Sequence, residues 1–86
     1  MIMTEGIPFG FVRKGETLEK EFVLKNFVDA MEFVNKIAAE AEALDHHPDI
    51  LIHSYKKVKI TLTTHSKGKV TELDYQLAKI INSLSE

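Results

Sequence analysis

The chain of 86 residues contains no cysteine and no tryptophan, and only four glycines and two prolines. Without cysteine there is no disulfide to offset the thin stability margin of a small domain, and no thiolate to bind a metal. Basic residues are not in excess. Eleven Lys and Arg stand against thirteen Asp and Glu, a formal net charge of -2 with histidine neutral. Binding to nucleic acid by phosphate neutralisation needs the opposite balance, so no nucleic-acid partner is expected. Lys56, Lys57, Lys59, Lys67 and Lys69 do cluster, as they would on a solvated strand and turn. No apolar run approaches the roughly 20 residues that span a bilayer. The start, "MIMTEGIPFGFVRKG", lacks the basic opening and long apolar core of a signal peptide. A cytoplasmic protein with no membrane partner is the expectation. Neither a G-x-S-x-G elbow nor a phosphate loop is present, which removes two common catalytic devices.

What is present is an ordinary globular composition, 44% apolar and 28% charged. The length predicts one domain, 1–86. "IPFGFVRKGETLEKEFVLKN" alternates loosely around Gly15 and predicts two short strands, about 8–13 and 17–24. At Asn26, a favoured N-cap type, the period changes. Phe27, Ala30, Met31, Val34, Ala38 and Ala41 follow at helical spacing, with Phe33, Ile37 and Leu44 widening the stripe. The helix should end near Leu44, because Pro48 disfavours helical geometry at His47. "DILIHSY" and "KKVKITLTTH" read as two further strands, the second with Val58, Ile60 and Leu62 on one face and Lys59, Thr61, Thr63 and His65 on the other. After the turn "SKGK", Thr71 opens a last helix with Asp74 at N3, in capping-box spacing, and Leu73, Leu77, Ile80, Ile81 and Leu84 as its apolar face. The order β-β-α-β-β-α predicts an α+β fold, a four-stranded antiparallel sheet with helices packed on one face. Exposed strand edges and a small core predict self-association.

The stretch "EALDHHPDIL" holds two of the four histidines side by side. Glu40, Glu42 and Asp45 lie in or near the last helical turn, where the macrodipole disfavours negative charge by a few tenths of a kcal/mol each. Glu42 stands four residues before His46, on the same face if the turn holds, and a carboxylate there would fix the ring's tautomer. Histidines after a helix C-terminus are also common in their own right, since a protonated ring is favourable there. His65 adds weight, ending a strand on a polar face beside a Gly-containing turn. His53 reads as a surface strand residue. Three histidines could in principle hold zinc, but adjacent side chains diverge and no H-x₃-H spacing lies on a helix, so acid–base chemistry ranks above a metal.

Taken together, "FVLKNFVDAMEFVNKIAAEAEALDHHPDI", "YKKVKITLTTH" and "GKVTELD" resemble the pterin-4a-carbinolamine dehydratases, from about Leu18 to Ile81. The resemblance implies loss of water from a 4a-hydroxytetrahydropterin, such as 4a-hydroxytetrahydrobiopterin, to give the quinonoid dihydropterin, with no metal and no organic cofactor. It implies a pterin site built from His46, His47 and His65, with Glu42, Asp45, Pro48 and Asp74 binding and orienting. By analogy His46 and His65 exchange protons, His47 orients the pterin and Glu42 sets the tautomer of His46. A homodimer or homotetramer is implied as well. Two alternatives accompany it: a dimerisation module for a transcription factor, and a dehydratase of another pterin, such as one in molybdopterin metabolism. Between Pro48 and His65 the chain carries one residue more than the commonest pattern of the family, and a bulge near His53 and Ser54 is the expected place for it.

Overall fold

A computed structural model describes residues 6–85. Residues 1–5 and 86 lie outside the described residues, and with them the start of the stretch read for a signal peptide and both ends of the expected domain. Six elements follow in the order β1 (Val12–Lys14), β2 (Thr17–Val23), α1 (Phe27–Leu44), β3 (Asp49–His53), β4 (Lys57–Leu62) and α2 (Glu72–Leu84). The strands form one antiparallel sheet in the order β1-β2-β4-β3, so the two hairpins join through their second strands. This is the expected α+β architecture.

Alternation decides which face the helices cover. Leu18 and Phe22 of β2 and Val58, Ile60 and Leu62 of β4 are buried, against Ala30, Phe33 and Ile37 of α1 and Leu77, Ala78 and Ile81 of α2. The opposite face is left to Glu19, Glu21, Lys57, Lys59, Thr61 and Leu51 by the same two-residue period. Truncating a fully buried member such as Ile37 to alanine should cost about 2–5 kcal/mol, a large part of what a domain of this size has.

Four sequence expectations shift. The first strand begins at Val12 rather than near residue 8, because Pro8 to Phe11 close a turn instead, with the Phe11 N–H on the Pro8 carbonyl at 3.1 Å and Gly10 at φ 80°. That turn is held from below. Lys20 Nζ donates to the Phe9 carbonyl (3.1 Å) and to Asn82 Oδ1 (2.7 Å), and a Cβ at Gly10 would sit 2.6 Å from the Lys20 side chain. Burial there lowers the Lys20 pKa below its ordinary value. Secondly, α1 spans the expected residues and is capped by Asn26 Oδ1 accepting the Asp29 N–H at 2.8 Å, but it is rotated. Phe27, Met31 and Ala38 are exposed; Ala30, Phe33, Ile37 and Ala41 face the core. The helix is apolar around much of its circumference, and the larger Phe33 and Ile37 fill the space over the sheet, Phe33 packing on Phe22 at 5.0 Å between ring centroids.

Thirdly, β4 stops at Leu62, three residues before His65. Finally, the extra residue makes no bulge. The register runs unbroken from Asp49↔Thr61 to His53↔Lys57, and the hairpin turn that follows holds Ser54 and Tyr55 at φ 51° and 54°. Two successive non-glycine residues in the left-handed region cost about 1–2 kcal/mol each.

Candidate active site

The start of α2 anchors the site. Thr71 is its N-cap and Asp74 its third residue, and the Asp74 Oδ2 accepts the Thr71 backbone N–H at 2.9 Å, satisfying a donor the helix cannot. Asp74 is nonetheless fully buried, more than a cap requires. Its Oδ2 also meets the Thr64 hydroxyl at 2.8 Å, and its Oδ1 lies 2.6 Å from His46 Nε2. Thr64 Oγ1 in turn lies 2.6 Å from Thr71 Oγ1. Three chain segments, the end of α1, the exit of β4 and the start of α2, therefore converge on one carboxylate.

His46 reaches Asp74 because of how α1 ends. Asp45 takes left-handed geometry, φ 53°, and the His46 N–H returns to the Ala41 carbonyl at 3.0 Å while the Asp45 N–H bonds the Glu42 carbonyl at 3.2 Å, a Schellman closure with aspartate in the place of glycine. The helical turn does not hold through His46. Its ring is swung inward and is buried. The expected Glu42–His46 pair is thus replaced: Glu42 Oε2 lies 2.6 Å from His47 Nε2, at the surface. Asp74, not Glu42, is the carboxylate on His46.

The remaining expected residues divide. His65 is exposed in the turn that follows Thr64, which the Thr64↔Lys69 bridge and the Gly68 N–H to the Thr64 carbonyl (2.9 Å) close. It adjoins the buried cluster through the chain, since Thr64 bonds Asp74, but its ring has no hydrogen-bond partner among the described residues. Asp45 contributes its backbone geometry, and Pro48 is half-buried just before β3. No group of three His, Asp or Glu side chains that could hold a metal occurs among the described residues. Sequence reasoning did not single out Thr64 for the site, although a signal existed. It continues the parity of Val58, Ile60 and Leu62, so a polar residue falls on the buried face and must find a partner there.

A third imidazole–carboxylate pair lies away from this cluster. On the open sheet face His53 Nε2 sits 2.6 Å from Glu21 Oε1, and His53 Nδ1 meets Ser54 Oγ at 3.3 Å. The hydrogen bond from His53, helped by the charges of His53, Lys57 and Lys59, holds the Glu21 carboxyl below the usual carboxylate range against a smaller opposing desolvation.

A family model described as pterin 4 alpha carbinolamine dehydratase matches residues 9–84. A protein of Trichodesmium erythraeum, provisionally named pterin-4-alpha-carbinolamine dehydratase, is 51% identical over 72 residues, covering 84% of this chain and 76% of its own. One of Sulfolobus acidocaldarius with the same provisional name is 45% identical over 75 residues, covering 87% and 81%. A crystal structure from Brucella melitensis described as a transcriptional coactivator/pterin dehydratase superposes with a TM-score of 0.85 at 36% identity, covering 91% of this chain and 84% of that one. The chain belongs to the pterin-4a-carbinolamine dehydratase family.

Proposed function

With family membership as the premise, we propose that the chain is a hydro-lyase, removing water from a 4a-hydroxytetrahydropterin to give the quinonoid dihydropterin. The observation that carries the proposal is the buried His46–Asp74 contact. An ionised carboxylate can only accept, so the hydrogen in the 2.6 Å contact is carried by the imidazole. Nε2 then donates to Asp74, and the lone pair of the neutral ring lies on Nδ1. No buried side-chain nitrogen or oxygen among the described residues lacks a partner, and Nδ1 has no protein partner among them, so Nδ1 is the ring nitrogen that remains accessible.

The reaction moves one proton out and one in. N5–H loses its proton as the C4a=N5 bond forms, and the C4a hydroxyl leaves as water once a proton reaches it. Imidazoles suit both transfers because their pKa lies near neutrality. His46, through Nδ1, and His65 exchange the two protons. His47, steadied by Glu42, binds and orients the pterin, while Asp45 and Pro48 shape the turn that aims both rings. The reaction itself calls for no metal and no organic cofactor. Purified protein mixed with freshly generated 4a-hydroxytetrahydrobiopterin should accelerate the appearance of the quinonoid product over the spontaneous rate. Equal rates with and without protein overturn the proposal.

The likeness to a Brucella protein described as a transcriptional coactivator favours a second reading, a binding module acting in transcription. The buried polar cluster argues for the enzyme, since a docking surface has no need of a sequestered carboxylate–imidazole pair. A substrate change to another pterin would keep the same residues. Self-association into a dimer or tetramer in the cytoplasm completes the proposal. It is supported by the open edges at β1 and β3 and by Phe27, Val28 and Met31 exposed on α1. Light scattering at micromolar concentration should give a mass above that of the 9.8 kDa monomer.

A further inference from the structure

We propose that Thr64 is a positioning residue for dehydration: its hydroxyl locks the Asp74 carboxylate so that His46 presents Nδ1, unprotonated, to the substrate. The inference rests on the dehydratase reading and follows from an inventory of protons. Asp74 offers only acceptors when ionised. The Thr71 backbone N–H and His46 Nε2–H are donors to it by chemistry. Thr64 Oγ1 has a single proton and two oxygen neighbours, Asp74 Oδ2 and Thr71 Oγ1. If Thr64 gave its proton to Thr71, Oδ2 and Oγ1 would face each other at 2.8 Å with no hydrogen between them. The one arrangement that gives every short contact a hydrogen runs from the Thr71 hydroxyl to Thr64, from Thr64 to Oδ2, and from His46 Nε2 to Oδ1.

This chain has a direction, and its direction fixes the tautomer. With Oδ2 held by two donors, the carboxylate cannot rotate without breaking both, and Oδ1 stays aimed at His46. Thr64 is 8% exposed and His46 is 8% exposed, so water does not readily replace the hydroxyl. Thr64 itself precedes His65, so the residue that locks one proposed proton carrier also anchors the backbone of the other.

The test compares Thr64→Val, which keeps the shape and removes the hydroxyl, with Thr64→Ser, which keeps the hydroxyl and removes the methyl. Long-range ¹H–¹⁵N correlation spectra of the imidazoles, recorded on the neutral protein, read the His46 tautomer without any pterin. Wild type should show the Nε2–H form, Thr64→Val a mixture with Nδ1–H, and Thr64→Ser the wild-type pattern. In the dehydration assay kcat should fall on the order of 10–100-fold in Thr64→Val, the usual worth of an outer partner, and recover in Thr64→Ser, with KM little changed. Should the valine variant not fold, Thr64→Ala read against Thr64→Ser makes the same comparison. A wild-type tautomer and kcat in Thr64→Val, or equal losses in valine and serine variants, overturns the inference. A wild type that fails to dehydrate while its tautomer still responds to Thr64→Val overturns the dehydratase reading and supports the lock.

Discussion

His46 and His47 are neighbours, and each sets Nε2 2.6 Å from a carboxylate oxygen. The first pair is closed in, with side chains 9% and 0% exposed, and joins residues 28 apart in the chain. The second is open, at 55% and 76%, and joins residues five apart. Equal distances do not make equal interactions. In water the Glu42–His47 attraction is screened, and exposed pairs contribute about 0–1 kcal/mol. The His46–Asp74 contact has lost most of its water, so each group depends on the other and on Thr64 and Thr71. A buried pair adds little net stability, yet removing one member leaves the rest without partners. The buried pair holds a fixed geometry, while the open one is free to rearrange.

The strongest way to break this contrast is kinetic. His46→Ala should slow dehydration on the order of 10²–10⁴-fold, with His65→Ala in the same range and the double variant well short of the product. A His46→Ala protein at the wild-type rate removes His46 from the chemistry. Next comes stability: Asp74→Ala strands three donors in the interior and should cost about 3–5 kcal/mol in a urea titration. A loss under about 1 kcal/mol would mean that water has entered and that the pair is not sealed.

Glu42→Gln should change little. Relief of the unfavourable helix-end charge, a few tenths of a kcal/mol, offsets an exposed pair of similar worth. The melting temperature should move only slightly, and the activity loss should be smaller than for His46→Ala; a loss as large would place Glu42 among the groups that act directly. Smallest is Glu21→Gln on the open face. Glu21 is an acid whose folded pKa is depressed, so its contribution is present above the unfolded value of about 4.3 and fades as pH falls through the folded one. Wild type should melt slightly above the variant near neutral pH, and the gap should close under acid. A strong chelator, finally, should leave the dehydration rate where it was.

The same contrast accounts for what the sequence makes legible. Element order, the Asn26 and Thr71 caps and the buried face of β4 depend on residues within a few positions of one another, and local rules reach them. The choice between His46 and His47 as partner of Glu42 depends on one dihedral, the left-handed Asp45, in a residue that usually concedes that place to glycine. The pairing of His46 with Asp74 depends on how two helices and a strand exit meet, which no spacing encodes. The rotation of α1 has the same origin: Phe27 and Met31 are as periodic as Phe33 and Ile37, and only the sheet decides between them. The family resemblance names the three histidines and Asp74 together without saying which ring meets Asp74, while Thr64 was hidden because its polarity looks ordinary until its parity is counted.

Asp74 at once completes the capping box of α2 and seats His46. The first turn of a helix ordinarily frays at small cost, on a timescale set by local opening. Here that opening cannot occur alone, since releasing Thr71 and Asp74 also frees the imidazole and the exit of β4. The breathing of α2 and the loss of the site are one event. The Tyr75 amide, bonded to the Thr71 carbonyl at 3.4 Å, and the His46 amide, bonded to the Ala41 carbonyl, should therefore exchange their hydrogens at a common free energy.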